Sequence, residues 1–414
     1  MVRDGAVVLD TSRQVFPALT GKQWYRTVGF KEIAIVHGVL DESYRHTAQF
    51  INRIRHQPGA TAVTTLQDAV ESEGSRASKV QAEQAGRIVR EQGLDEQTLQ
   101  PMGEHTPVTA ERLPSEAVDC VLRELAPDEP TLQAMRANPV AYENPSAAVH
   151  VSIDDVLAKK QKEHREHKSS RVSESVGFEN GELARSTTRS DEQAKKCVHT
   201  TVAHVETGAG RRIFASAGLL STCLLVMAFV VANKKLQSTW MFFVDGQRSL
   251  QDLLLRVFGW QGTVQLILDW FHLVKKCKEQ LSLALKGRHI RNEQLRPLLR
   301  MLWLGQVDAA ICALRGIDPK QVKAPDALDR LVGYFERNRA FIPCYAARKK
   351  LGLRNSSNRG EKANDVIVSA RQKNNGMSWS QSGSSALSTL QALVCNDNHR
   401  QWFDQGTVDF QLAA

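Results

Sequence analysis

The chain has 414 residues, 42% of them hydrophobic, which allows two to four domains with a sizeable core. Its formal net charge of +9 favours a polyanionic partner, nucleic acid first. The composition argues against a membrane protein, because the apolar run 218–232 is about five residues short of the roughly 20 that span a bilayer. Seven cysteines without a close pair, and no signal-peptide pattern, predict free thiols and a cytoplasmic location.

The amino-terminal region, residues 1–114, is predicted to be mostly helical. The stretch "SYRHTAQFINRIRHQ" has helical spacing after Ser43, and "VTTLQDAVESEG" predicts a second short helix that Gly74 ends. Two helices joined by a glycine-containing turn are typical of a helix-turn-helix. The residues predicted to contact DNA here are Arg45, Arg53, Arg55, Thr64 and Thr65, and either threonine could cap the second helix. The alternative is an ordinary helical hairpin with a solvated basic face.

A third amino-terminal helix is predicted in "QAEQAGRIVREQG", and residues 115–148 are predicted to form a linker with a short helix near 115–125. A core segment follows over 149–269. It contains a long charged stretch, 157–196, that is typical of an insertion or loop. The predicted strands of the core are 147–156, 197–206, 211–218, 239–245 and 263–269, with helices at 218–232 and 249–259.

This order of elements predicts a mixed α/β sheet with helices on its faces. Residues 270–350 have helical periodicity and predict a helical insertion domain, after which 351–414 completes the core. The order is that of the ribonuclease H-like fold. The expected fold class is therefore a ribonuclease H-like mixed sheet with a helical insertion and a helical amino-terminal DNA-binding domain.

Acidic residues stand where such a fold needs metal ligands. Asp245 ends the fourth strand, and Asp154 or Asp155 lies in the first. Because side chains alternate along a strand, Asp154 shares the polar face with His150 and Ser152, while Asp155 reaches the site only if a bulge is present. Carboxylates from separate elements suit Mg²⁺ or Mn²⁺, and two such ions can activate an attacking oxygen and stabilise a leaving one.

The chain also resembles a known family. "FVDGQRSL" followed by "LILDWFHLVKKC" is similar to the DDE transposases of bacterial insertion sequences, of the Mutator-like and related kinds. The resemblance covers roughly residues 149–385. It implies that Asp245-Gly246 carries the second catalytic acid and that Asp269 and His272 form the motif that opens the insertion. It also implies that Glu361, before the Gly-Met-x-Trp-Ser stretch, is the third acid, with Asp365 one turn later as the alternate.

The resemblance implies a function. A transposase of this kind would bind the DNA ends of its element, cut a strand with metal-activated water, and join the freed 3′-hydroxyl to target DNA. Two metal ions, a homo-oligomer in the DNA complex and a nucleoid-associated location are expected. Near the site and on the insertion, the residues predicted to hold phosphates are Lys275, Lys276, Arg371 and Lys373.

Alternatives stay open for the function and for the roles of Asp269 and His272. The chain could be a non-catalytic DNA-binding protein derived from a transposase, or a ribonuclease H-like nuclease without strand transfer. Asp269 and His272 could bind a metal with Cys277, although this spacing matches no standard zinc site. They could instead brace the junction between the sheet and the insertion, or lie beside the DNA path.

Overall fold

The computed structural model describes residues 28–412 apart from 42, 55, 57, 60, 162–195 and 375–376, together with a short antiparallel strand pair, Val2–Arg3 and Ala6–Val7. A five-stranded sheet forms the centre of the molecule, so the predicted mixed α/β class is confirmed. Its strands are β1 (Ala148–Lys159), β2 (Cys197–Thr207), β3 (Gly210–Ser216), β4 (Thr239–Val244) and β5 (Val264–Leu268).

The helices fall into three groups along the chain. Before the sheet lie α1 (Val28–Leu40), α2 (Tyr44–Ile54), α3 (Val63–Glu91), α4 (Ser115–Leu125) and α5 (Glu129–Arg136). Within and after the strands lie α6 (Leu219–Ala232), α7 (Arg248–Phe258), α8 (Trp270–Ala284), α9 (Arg288–Trp303), α10 (Val307–Arg315), α11 (Pro325–Asn338) and α12 (Tyr345–Lys350). The chain continues with α13 (Asn358–Asn364), a π-helix (Asp365–Lys373), α14 (Gln381–Cys395) and α15 (His399–Gln405).

The spatial order of the strands is β3-β2-β1-β4-β5. The first three strands pair antiparallel, whereas β1, β4 and β5 run parallel. The parallel part needs crossover helices, and α6 and α7 supply them. As a result, β4 and β5 end on the same side of the sheet, beside the middle of β1, which continues to Lys159.

The two faces of the sheet are buried against different helices. One face, with Val149, Val151 and Ile153 of β1, packs on α6, α7 and the second half of α3. The other face, with Met241 and Phe243 of β4, packs on the helices between 270 and 350. The alternation predicted for β1 is therefore present, and it directs Ser152 and Asp154 to the second face.

The apolar run after β3 forms the buried helix α6. Cys223 and the residues from Leu225 to Val230 are almost completely inaccessible to solvent. Among the described helices, none combines the length and the apolar character needed to cross a bilayer.

The amino-terminal helices differ from the prediction. Residues 63–91 form one 29-residue helix, α3, which runs through Gly74 instead of ending there. Gly74 is buried where α3 crosses α14, and a Cβ at this position would clash with the backbone of Ala386. The glycine therefore serves close helix packing and not helix termination. Thr64 and Thr65 lie inside the first turn and do not cap it, because the helix begins after Ala62.

The segment predicted as a linker is folded onto the insertion. Helices α4 and α5 share a small apolar core with Ala346 and Ala347 of α12. Glu143 and Arg348 form a two-fold hydrogen-bonded ion pair, each bond 2.6 Å long, and both side chains are completely buried. The predicted charged insertion, 157–196, lies mostly outside the described residues.

Candidate active site

Two aspartates lie side by side at the carboxyl edge of the parallel strands. The β1–β4 register pairs Ser152 with Phe243, and two further residues along each strand bring Asp154 level with Asp245. Side chains two apart on a strand share a face, so both carboxylates leave the sheet on the same side. The paired register of β1 and β4 thus brings together two acids that are 91 positions apart in the chain.

Asp154, and not Asp155, faces this site. Pairing of β1 with β2 is continuous from His150 to Lys159, so no bulge redirects Asp155. Asp155 instead accepts a 2.5 Å hydrogen bond from Thr201 Oγ1 on the neighbouring strand. The preference for Asp154 that the sequence suggested agrees with this geometry.

The carboxyl group of Asp154 is in a setting that disfavours its charge. Solvent reaches part of the residue, yet protein atoms surround the carboxyl group on most sides. This burial, and next the negative charge of Asp245, raise the pKa of Asp154 from 3.8 to about 6. Asn364 Nδ2 donates a 2.9 Å hydrogen bond to Asp154 Oδ2.

The Asp245-Gly246 turn needs its glycine for two reasons. Gly246 has a φ of +87°, a backbone conformation that residues other than glycine rarely adopt. A Cβ there would also clash with the ring of Tyr334. That tyrosine donates a 3.2 Å hydrogen bond to the Asp245 carbonyl, and Gln247 N–H donates to Asp245 Oδ1 at 2.9 Å. The turn therefore holds Asp245 at the edge of the sheet.

Glu361 comes to the same place on the short helix α13. Its neighbour Gly360 is buried against β1, where a Cβ would lie 2.5 Å from Ser152 Cβ. This close approach brings Glu361 beside Asp154 and Asp245, and all three line one cavity of about 30 Å³. Asp365, the predicted alternate, is exposed on the π-helix and does not line the cavity.

Asp269 joins the sheet, the insertion and α13. It is completely buried, caps α8 by accepting from His272 N–H at 2.9 Å, and accepts from Ser357 N–H and Oγ at 2.5 and 3.0 Å. Burial alone would raise its pKa, but contact with the His272 side chain and these hydrogen bonds hold the pKa below its ordinary value. Asp269 thus braces the junction between the sheet and the insertion, which was one of its predicted roles.

His272 faces the acids. Its Nδ1 lies 3.2 Å from Asp269 Oδ1 and 3.9 Å from Glu361 Oε1. Contact with Asp269 raises the pKa of His272, although partial burial opposes the effect. Cys277 is buried in the core of the insertion and does not line the cavity.

The chemistry of the cavity suits a divalent cation. Its acidic lining residues are Asp154, Asp245 and Glu361, and its only basic one is His272. Mg²⁺ or Mn²⁺ would bind these carboxylate oxygens and neutralise their negative charge. The cavity volume of about 30 Å³ holds roughly two water-sized spheres. The three carboxylates do not converge on one point, since no group of three potential metal ligands is close enough in the described residues.

The other predicted DNA contacts are spread over the molecule. Arg45, Arg53 and Thr64 are exposed on the amino-terminal helices, where Thr65 is half-buried. Lys275 and Lys373 are exposed, and Lys276 lies over the Tyr334 ring. Arg371 is buried between Tyr44 and Trp379, so its guanidinium does not reach the surface, where it was expected to hold phosphate. Arg55 lies outside the described residues.

Three residues of the site were not predicted from the sequence. Ser357, Asn364 and Tyr334 each hold an acid or its backbone through a contact between distant parts of the chain. Only Asn364 could have been found, because it lies three positions after Glu361 and shares its helical face.

A comparison of the chain with known protein families, with curated proteins and with solved structures finds no match in any of the three.

Replacing Asp154 with asparagine should stabilise the metal-free protein. Because its pKa is raised above 3.8, the carboxylate costs stability at pH values above about 6, and this cost disappears as the pH falls. Solvent screens part of the effect, so we expect a gain of about 1 kcal/mol near neutral pH. Thermal unfolding with a chelator measures it, and Asp365→Asn, at an exposed position of the π-helix, is the control.

Adding Mg²⁺ should reverse the order of stability, so that the wild-type protein unfolds at a higher temperature than Asp154→Asn. An ion that binds only the folded state raises the unfolding temperature of the wild-type protein and leaves Asp154→Asn nearly unchanged. A metal-free Asp154→Asn protein less stable than the wild type would contradict the description of this carboxylate.

Proposed function

We propose that the chain is a DDE-type transposase with a ribonuclease H-like core, which cuts and joins DNA strands with divalent metal ions. The observation that carries the proposal is the meeting of Asp154, Asp245 and Glu361 in one cavity at the carboxyl edge of the parallel strands. This is the arrangement that the sequence resemblance implies: an acid in the first strand, one after the fourth, and one on a later helix.

In this proposal the three carboxylates hold the metal ions. Bound Mg²⁺ would activate water and stabilise the leaving 3′-oxygen. The chain itself supplies the positions of the acids: β1 and β4 fix the two aspartates, α13 brings Glu361, and Asp269 ties α13 to the start of α8. His272 lies beside Glu361, with 3.9 Å between its Nδ1 and Glu361 Oε1.

The charge distribution favours the insertion as the surface that holds DNA. Residues 270–350 contain 17 Lys and Arg against 7 Asp and Glu, a net charge of +10, whereas the whole chain has +9. Residues 1–114 contain 13 against 14, a net charge of −1. Helix α8 begins at the cavity, and its exposed Lys275 and Lys278 lie on one helical face. The amino-terminal helices would then contribute recognition of the element's ends through a few basic residues, not bulk electrostatic affinity.

Reversing charges on α8 should weaken DNA binding. Lys275→Glu with Lys278→Glu removes about two phosphate contacts, so the slope of log affinity against log salt should fall by about 1.8. Fluorescence anisotropy of labelled DNA over a salt series measures the slope. The matched control, Lys79→Glu with Arg87→Glu on the exposed face of α3, should leave it unchanged.

A third double variant tests the helix-turn-helix. Arg45→Glu with Arg53→Glu should reduce the preference for element ends over other DNA more than it reduces total affinity. If the α8 variant binds DNA as the wild type does, the insertion is not the DNA-holding surface.

The function itself is tested with the element's own end DNA. We expect the full chain to nick labelled ends in Mg²⁺ or Mn²⁺ and to join the 3′-hydroxyl to a target plasmid. Nicking without joining would favour a nuclease, and binding without nicking would favour a DNA-binding protein derived from a transposase. A homo-oligomer on paired ends and a nucleoid-associated, cytoplasmic location belong to the same proposal.

A further inference from the structure

Helix α13, which carries Glu361, is seven residues long and continues directly into the π-helix, whose Ile367 and Val368 are buried with Ala363 against β1 and β2. These apolar contacts fix the carboxyl-terminal end of α13. The placement of its first turn, where Glu361 lies, depends on further contacts with the core. Three of these have been described: Ser357 with Asp269, Gly360 against Ser152, and Asn364 with Asp154.

A fourth contact is made by charges on the opposite side of α13 from Asp269. Oε1 of Glu206, near the end of β2, accepts hydrogen bonds from Arg354 in the loop before α13 and from Arg359 in its first turn. These three residues are called the arginine clamp below. The Glu206 side chain is 14% exposed, and Arg354 29%, so water screens the clamp only in part. Burial opposes the charge of Glu206, yet hydrogen bonds from both arginines lower its pKa to about 2.

The loop end of the clamp is itself anchored. Arg348 Nε and Nη2 donate to the Arg354 carbonyl at 3.0 and 2.9 Å, and Arg348 is held by the buried Glu143. The β2 end is anchored by pairing of Glu206 with His150 in the sheet. The clamp thus joins two rigid parts of the core across the short helix between them.

We propose that Glu206 is a positioning residue for the third acid: by binding Arg354 and Arg359 together, it sets the distance of Glu361 from Asp154 and Asp245 and so sets the metal affinity of the site. Glu206 does not line the acid cavity, so it acts only through α13. This inference rests on the proposed function for the role of Glu361, but the docking of α13 can be measured without DNA or metal.

The first measurement is amide hydrogen exchange of the full-length, metal-free protein. In Glu206→Gln, peptides over 353–364 should exchange about tenfold faster than in the wild type, since the neutral amide removes the negative charge that both arginines bind; a tenfold change corresponds to about 1.4 kcal/mol. Peptides from β1 and β4 should be unchanged. Glu336→Gln, which breaks the surface pair with Arg315, is the matched control and should change neither region.

The second measurement is metal affinity, read from thermal unfolding over an Mn²⁺ series. The concentration for half-maximal stabilisation should rise about tenfold in Glu206→Gln and return part of the way in Glu206→Asp, which keeps the charge. Cleavage at saturating Mn²⁺ should return close to the wild-type rate. Arg359→Gln, a change at a largely exposed side chain, should reproduce the effect if Glu206→Gln does not fold.

Three results separate the possibilities. Unchanged exchange over 353–364 in Glu206→Gln overturns the clamp. If peptides from β1 and β4 exchange faster by the same factor as 353–364, the proposed role of the clamp is also overturned, because Glu206 would then stabilise the whole sheet. A wild-type chain that neither binds Mn²⁺ nor cleaves DNA refutes the proposed function, while the exchange result still decides whether the clamp docks α13.

Discussion

Asp245→Asn and Glu361→Gln should each lower the rate of metal-dependent strand cleavage by about a thousandfold or more. A carboxylate that holds a catalytic metal ion contributes several kcal/mol of transition-state stabilisation, and each 1.4 kcal/mol is a tenfold change in rate. Both residues are exposed at the cavity, and neither packs into the core, so the variants should fold. Single-turnover cleavage of labelled end DNA gives the rates.

Two neighbouring acids serve as controls for this experiment. Asp155→Asn and Asp365→Asn change carboxylates within a few residues of the proposed ligands, but one faces Thr201 and the other faces solvent. Both should retain cleavage within about threefold, as surface or peripheral changes usually have small effects. Asp154→Asn should lose activity as Asp245→Asn does. A damaging Asp155→Asn with an active Asp154→Asn would mean that the face of β1 is wrongly assigned.

Glu143→Gln should destabilise the fold by about 3–5 kcal/mol, because it leaves the Arg348 guanidinium buried without a compensating charge. Burial opposes the charge of Glu143, yet contact with His150 and Arg348 holds its pKa below the ordinary value of 4.5. The pair therefore contributes stability above that pH and loses it as the pH falls through the lowered pKa. Urea unfolding of the full chain at neutral pH measures the change.

An exposed ion pair provides the comparison for the destabilisation expected in Glu143→Gln. Glu336→Gln breaks an exposed pair with Arg315 and should cost less than about 1 kcal/mol. Replacing both buried partners, Glu143→Leu with Arg348→Met, should recover much of the loss, because two apolar side chains leave no buried charge. If Glu143→Gln costs no more than the surface control, the pair does not hold the segment before β1 onto α12.

The sheet could be predicted from the sequence because its signals are local. Alternation in β1 separates Val149, Val151 and Ile153 from Ser152 and Asp154, and the continuous apolar run of β4 indicates a strand buried on both faces. These patterns also decide which acid reaches the cavity. The resemblance then supplied Glu361, which the structure places on a helix at the same cavity.

The features that could not be predicted from the sequence depend on contacts between residues far apart in the chain. Gly74 is a helix breaker by propensity, but the packing of α3 on α14 overrides that preference. Glu143 and Arg348 are 205 positions apart, and Glu206 and Arg354 are 148. Arg371 looked like a surface phosphate contact because a charged side chain gives no local sign of being enclosed by Tyr44 and Trp379.

The central claim is that Asp154, Asp245 and Glu361 together bind divalent metal ions, and calorimetric titration of the full chain with Mn²⁺ tests it most directly. With end DNA present, we predict saturable binding of two ions per chain. Each of Asp154→Asn, Asp245→Asn and Glu361→Gln should weaken that binding by about a hundredfold, since each removes an anionic ligand, while Asp155→Asn should bind as the wild type does. Wild-type protein without saturable binding, or equal binding by all four variants, would contradict the assignment of the site.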